Sequence, residues 1–331
     1  MTPRRRLAAV IGLALALVAG CGPTGAPTVP LPSSTNVAGA CPATPSPDQA
    51  TIPEWAPAGQ NPTVIPQIVS SSGAIACGKT RVVFAFLSRN NLPIGAPDRT
   101  ASVAFYDLGK DPRTPVGSAN GTFIWAIENQ RGVYVVNVDL PTSGLYGAEF
   151  KTAAPGALSE TIRIQFDVQP TSLALAIGDR APASVTPTLA QVGGDVTKIS
   201  TDSQPDKAFY ETSVADAVKA GKPFLLIFAT PKFCVSRQCG PTLDRIKPLA
   251  AAHPSFTIIN VEPYQLKDVD GQLQPVTAGD PPQLVTTKAA DEWRLLSEPW
   301  IFVVDRHGVV TGSFEAVASD QELDAAITAV Q

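Results

Sequence analysis

The most constraining stretch of this chain is an uninterrupted apolar run, Pro223-Phe-Leu-Leu-Ile-Phe-Ala229, that leads to Cys234 and, four intervening residues later, to Cys239. A run without polar alternation is what a strand covered on both faces requires. The chain must therefore supply packing layers on each side of it. Beyond Cys239-Gly240-Pro241, residues 242–252 have a helical pattern with Pro248 inside it, where a bend is expected. A strand that hands a thiol to a helix N-terminus places sulfur where backbone N–H groups and the helix dipole favour a thiolate. Cys234 and Cys239 are the candidate reactive residues. Lys232 and Arg237 are near enough in sequence to lower a thiol pKa.

The spacing restricts how these cysteines meet. On one helix, positions i and i+5 lie about 140° apart with ~7.5 Å of rise. A disulfide needs Cα atoms within roughly 4.4–6.8 Å. If the two bond, Cys234 sits in the loop ahead of the helix, and the helix starts near Cys239. Which sulfur attacks stays open at this level. Cys234 is the exposed nucleophile at the strand end in one arrangement, and the resolving thiol in the other.

The ends set the compartment. Arg4-Arg5-Arg6, an uncharged stretch from Leu7 to Gly20 and small residues before Cys21 predict a signal peptide over 1–20. The apolar stretch is shorter than the roughly 20 residues a membrane span needs. Val18-Ala19-Gly20-Cys21 resembles the bacterial lipobox, which implies cleavage before Cys21, lipidation there and anchorage to the outer face of the cell membrane. An ordinary signal peptide with a chance cysteine is the competing explanation. Residues 21–62 are rich in Pro, Thr, Ser and Gly and predict an extended tether. Net charge is −4 and basic residues do not cluster beyond the leader, so no nucleic-acid footprint is present.

The chain has five cysteines. In an oxidising compartment, with Cys21 lipidated, the remaining four allow two bridges. Cys234 and Cys239 are the near-neighbour pair, leaving Cys41 to pin the tether through Cys77. Cys77 would equally suit a buried thiol beside a strand.

Residues 63–170 alternate β-branched and aromatic runs (64–69, 81–87, 102–107, 122–127, 133–140, 145–150, 161–168) with turn residues. Seven such runs predict an all-β, immunoglobulin-like sandwich. Phe84, Phe86, Phe105, Trp125 and Phe150 are its expected core, and Tyr146 is expected to bond backbone through its hydroxyl. The region has no His and no catalytic grouping, so its expected role is structural or binding.

Residues 171–204 are expected as a linker. Within it, Gly178-Asp179-Arg-Ala181-Pro182 resembles the lead-in of peroxiredoxin-type and related extracellular thioredoxin-like domains. Over 205–331, a short helix closed by Gly221, the cysteine-bearing strand and helix, a strand at 256–261, a hairpin around Asp305–Gly308 and a last helix opened by a Ser319/Glu322 capping box give the order β-α-β-β-α. This region resembles the α/β thioredoxin fold. Glu298-Pro299 falls where that family keeps a cis-proline facing its redox cysteines. In that overlay Cys239-Gly-Pro-Thr242 matches Cys-Gly-Pro-Cys, with Thr242 in place of the resolving thiol. The segment from Tyr264 to Thr287 is expected as a surface insertion, either shaping a partner groove beside the cysteines or a plain variable loop.

The resemblance implies a membrane-anchored, extracytoplasmic thiol–disulfide oxidoreductase. Its catalytic residues would be Cys234, Cys239 and Pro299, its partners protein thiols or disulfides, and it would need no cofactor. A peroxidase fits less well, because the slot three residues before Cys234 is Pro231 and that before Cys239 is Ser236 without an upstream Pro. The same residues would also suit a copper-binding chaperone, using the thiols with His253 or His307. They would equally suit a non-catalytic scaffold lipoprotein whose bridge only staples a loop.

Overall fold

A computed structural model describes residues 41–55 and 62–331. The expected signal peptide, Cys21 and most of the tether lie outside the described residues. Period-two apolar runs become β1 (Val64–Ile68), β2 (Gly78–Ser88), β3 (Thr100–Asp107), β4 (Gly117–Asn120), β5 (Thr122–Ile127), β6 (Arg131–Leu140), β7 (Gly144–Ala153) and β8 (Glu160–Val168). They form two antiparallel sheets, ordered β1-β2-β6-β5 and β4-β3-β7-β8. Strand β4 was not expected: Gly117-Ser-Ala-Asn120 has no β-branched or aromatic residue, and only its pairing with β3 makes it a strand.

Phe84, Phe86, Phe105, Tyr134 and Phe150 are sealed between the sheets. One expectation needs correction. Trp125 is only half-buried, lying at the sheet edge against Phe123, because β5 has one neighbouring strand and its flank is not covered by a second. The Tyr146 hydroxyl bonds the Thr142 side chain at 2.6 Å and also the Thr142 backbone, as expected, and Thr142 Oγ1 donates onward to Asp107 Oδ2 at 2.6 Å. A buried hydroxyl needs a partner, and this side-chain relay supplies it.

The described part of the tether is pinned through Cys41, one of the two expected arrangements, and is docked beyond that at Trp55, which was not expected. Cys41 is bonded to Cys77. Trp55 is sealed, its Nε1 donating to Pro112 O at 3.1 Å and its ring lying under the Arg163 guanidinium. Gly147 permits this, since any side chain there would run into the Trp55 ring. The stretch 171–204 is likewise no free linker. Ala174, Leu175 and Ala181 pack into one apolar layer of the C-terminal lobe, Val196 into the other, and Arg180 bridges to Val309. Its scattered apolar residues follow no single period, which hides this role from a periodicity reading.

The C-terminal lobe contains α1 (Val214–Ala220), β9 (Phe224–Phe228), α2 (Cys239–Ala252), β10 (Thr257–Val261), two small ribbons β11–β12 (Leu266–Val269, Gln272–Pro275) and β13–β14 (Thr277–Ala278, Gln283–Leu284), α3 (Lys288–Glu292), β15 (Trp300–Val304), β16 (Val310–Glu315) and α4 (Asp320–Thr328). Its sheet runs β10-β9-β15-β16, with β9 and β10 parallel and the β9–β15 and β15–β16 pairs antiparallel. Strand β9 is central and enclosed: Phe224, Leu226 and Phe228 face the layer containing α1 and α3, while Leu225 and Ile227 face the layer containing α2 and α4. Gly221 closes α1 at φ 60°, and the Ser319/Glu322 capping box opens α4, both as expected.

The C-terminal lobe packs on the outer face of the β1-β2-β6-β5 sheet. Alternate β2 residues explain this: Val82, Phe84 and Phe86 point into the sandwich, while Val83 and Ala85 lie in a layer with Val133, Val135 and Val317. Arg81 on the same face pairs with Glu322 at 2.8 Å and donates to Val317 O at 2.8 Å. Burial pushes the Glu322 carboxyl up, but the Arg81 guanidinium and the helix cap outweigh it, leaving the pKa below the ordinary value. The buried Glu315 carboxylate binds Ser71 of the sandwich and Ser297 Oγ, the latter at 2.7 Å.

Candidate functional site

The end of β9 and the start of α2 are joined by residues 229–238, and this loop carries the site. Cys234 lies in the loop, Cys239 is the first residue of α2, and the two are bonded with Cα atoms 6.0 Å apart. This is the geometry the spacing allows. Helix α2 has no side-chain cap from Gln238. Instead the backbone N–H of Cys239 donates to Cys234 Sγ at 3.2 Å, so the sulfur occupies the place of a capping acceptor. The Ser236 hydroxyl is 3.3 Å from the same sulfur. The Ser236 proton goes to Glu298 O at 3.2 Å, so the Cys239 N–H is the donor that would stabilise negative charge on Cys234.

Accessibility separates the pair. Cys234 is 9% exposed and Cys239 not at all. The expectation of a freely exposed nucleophile is corrected, because Cys234 packs in the α2/α4 layer. Between them, the neighbour Val235 is 83% exposed.

The loop is held from several directions. Arg237 takes a left-handed turn at φ 62°, its N–H on Cys234 O at 3.2 Å. Glu298 accepts from Val235 N at 3.3 Å through Oε1, and its backbone O accepts from Ser236 Oγ at 3.2 Å. The Glu298–Pro299 peptide is cis and directly precedes β15. Tyr264 donates to Glu298 Oε2 at 2.6 Å, and burial together with that carboxylate pushes its phenol pKa up. Lys232 donates its backbone N–H to Thr201 Oγ1 at 3.3 Å and its ammonium to Leu273 O of β12 at 3.3 Å. From the sandwich, Arg131 Nη1 donates to Ser236 O at 2.8 Å. The ribbon insertion thus lies against the loop, while the Lys232 charge is turned toward it.

Glu262, at the end of β10, is buried with Oε1 accepting from Thr201 N at 2.6 Å and Thr201 Oγ1 at 2.7 Å. Burial pushes its carboxyl up to about 7. Sequence reasoning missed Glu262, Glu298, Tyr264 and Arg131. For Glu262 the signal was an acid directly after a buried run; for Arg131, whose partner is 105 residues away, there was none.

The remaining candidates lie apart. Cys41–Cys77 is at the sandwich and tether. His253 ends α2 with Nε2 2.8 Å from Asp324, and His307 sits in the β15–β16 turn. Among the described residues no group of three or more His, Cys, Asp or Glu side chains is placed to hold a metal, and no helix there is long and apolar enough to cross a membrane.

No family model and no curated protein matches the chain. Solved structures similar to it include a DUF4426 family protein from Pseudomonas aeruginosa PAO1, 13% identical with a TM-score of 0.23, over 33% of this chain and 91% of that one. The PmoD soluble domain from Methylocystis sp. ATCC 49242 is 14% identical with a TM-score of 0.20, over 32% of this chain and 90% of that one. MtrC from Shewanella baltica OS185 is 13% identical with a TM-score of 0.23, over 48% of this chain and 29% of that one. At such scores these likenesses carry no argument about function.

Proposed function

We propose that the protein is an extracytoplasmic thiol–disulfide oxidoreductase, anchored to the membrane through Cys21 and acting on protein thiols or disulfides through Cys234 and Cys239. The observation that carries this reading is the bridge at the start of α2, whose outer sulfur accepts the first N–H of the helix. Supporting a thioredoxin-like C-terminal lobe is the order β9-α2-β10-α3-β15-β16-α4, with the small ribbons inserted before α3 and Pro299 directly before β15. Supporting an immunoglobulin-like sandwich are the sheet orders β1-β2-β6-β5 and β4-β3-β7-β8, which correspond to strands A-B-E-D and an extended C-F-G sheet.

From the oxidised state, a partner thiolate attacks Cys234 Sγ, the more accessible sulfur. The Cys234–Cys239 bond breaks, and Cys239 leaves as a thiolate and takes a proton. A second partner thiolate then attacks the partner sulfur of the mixed disulfide, forming the partner's disulfide and releasing Cys234 as a thiolate beside the Cys239 N–H. Two electrons pass from partner to protein, the partner thiols lose their protons to solvent, Cys239 takes one from it and Cys234 stays a thiolate, and the same bonds run in reverse with a partner disulfide. Pro299 is assigned to hold the partner chain.

The burial of both sulfurs favours a second reading, a bridge that only braces the loop. Insulin reduction by the wild-type protein, C234S and C239S separates the two. Activity in wild type that both variants lose supports exchange; equal residual activity in all three overturns it.

A further inference from the structure

The loop between the cysteines is held by one side chain from the other lobe. Arg131 opens β6, after a turn in which Asn129 adopts φ 55°. Its guanidinium holds the carbonyl of Ser236, the residue whose hydroxyl lies beside Cys234 Sγ. The helix that follows is tied to the same edge of the sandwich: Arg245 of α2 donates to Trp125 O of β5 at 2.6 Å. An open cleft of about 820 Å³, lined in part by Trp125, Ile127, Gln130, Pro241 and Arg245, runs along this contact beside the start of α2.

We propose that the sandwich completes the thiol site, with Arg131 as a positioning residue that sets the Cys234–Cys239 loop and adds positive charge to it. This rests on the exchange reading above. The charged and titratable groups around the loop are Arg131 from β6, Lys232 and Arg237 within it, Glu298 and Tyr264 across it, and Glu262 beneath Thr201. Lys232 is directed to Leu273 O and Glu298 is negative, which leaves Arg131 as the cation bonded across lobes to the residue beside the sulfur. In the reduced protein Arg131, fixed on the Ser236 carbonyl, holds the loop that presents Cys234 and favours its thiolate through its positive charge.

The test is the pH dependence of Cys234 alkylation by iodoacetamide in the full chain carrying C239S. Adding R131Q is expected to move the midpoint upward by ~0.5–1 unit. R131K, which keeps the charge, is expected to recover at least half of that shift. R81Q breaks the Arg81–Glu322 pair of the same interface away from the loop and is expected to leave the midpoint in place. A profile for folded R131Q that superimposes on the parent overturns the proposal, as does a shift in R131K or R81Q as large as that in R131Q. Failure of the exchange reading is distinguishable: wild type then reduces no insulin, while the alkylation midpoint still moves with R131Q.

Discussion

The bridge between Cys41 and Cys77 spans 36 positions, and that between Cys234 and Cys239 spans five. Loop-closure entropy alone makes the first worth about 4 kcal/mol and the second about 2 kcal/mol. The first ties the tether to the start of β2, beside no helix, with the neighbouring Trp55 buried against the sandwich. The second stands at the start of a fourteen-residue helix, with a backbone N–H and a hydroxyl on its outer sulfur. One bridge is placed where closing a loop stabilises most. The other is placed where closure contributes least and thiolate stabilisation most. That contrast is the physical reason for assigning chemistry to one pair and stapling to the other.

The contrast breaks most visibly in activity. C234S or C239S is expected to reduce insulin turnover to background, while C41S/C77S keeps it in the folded protein; loss with C41S/C77S at full folding would erase the distinction. Denaturant unfolding follows in size. C41S/C77S is expected to cost about 4 kcal/mol, and C234S/C239S about 2 kcal/mol, and the reverse order would make the short bridge the main staple.

Glu262 adds a pH signature near the second bridge. Its folded pKa of about 7 lies above the ordinary 4.5. The folded state therefore holds the proton more tightly than the unfolded one. Stability is fully present below about 4.5 and falls as pH rises through about 7, by on the order of 3 kcal/mol. Glu262→Gln is expected to flatten that fall, measured by unfolding at several pH values, and an unchanged slope would reject the assignment. R81Q is expected to cost about 2 kcal/mol, no more than loss of the short bridge, through loss of a partly buried, charge-assisted contact between lobes, without altering insulin turnover.

Much of this architecture was legible. The sandwich strands and the enclosed β9 follow from period-two and continuous apolar runs, and the α1 and α4 boundaries from Gly221 and the Ser319/Glu322 pair. Helix rise required Cys234 to sit ahead of α2, with the helix starting near Cys239, if the two bond; the pairing itself rested on their proximity in sequence. What escaped depends on partners distant in sequence. Strand β4 is defined by β3, and the 171–204 segment by the two layers it packs into. Trp55 did carry a signal, as a lone aromatic in a Pro-rich tract. Glu298 and Arg131 look like ordinary surface charges until folding brings them to residues 62–105 positions away.

The most direct test of the central claim is covalent capture of insulin, read by mass spectrometry under non-reducing conditions. With Cys239 replaced in C239S, the Cys234 thiolate attacks an insulin disulfide and has no partner to release the product. The account predicts a stable mixed disulfide at Cys234 in C239S and none in C234S. Capture by C234S, or by neither variant, would contradict it.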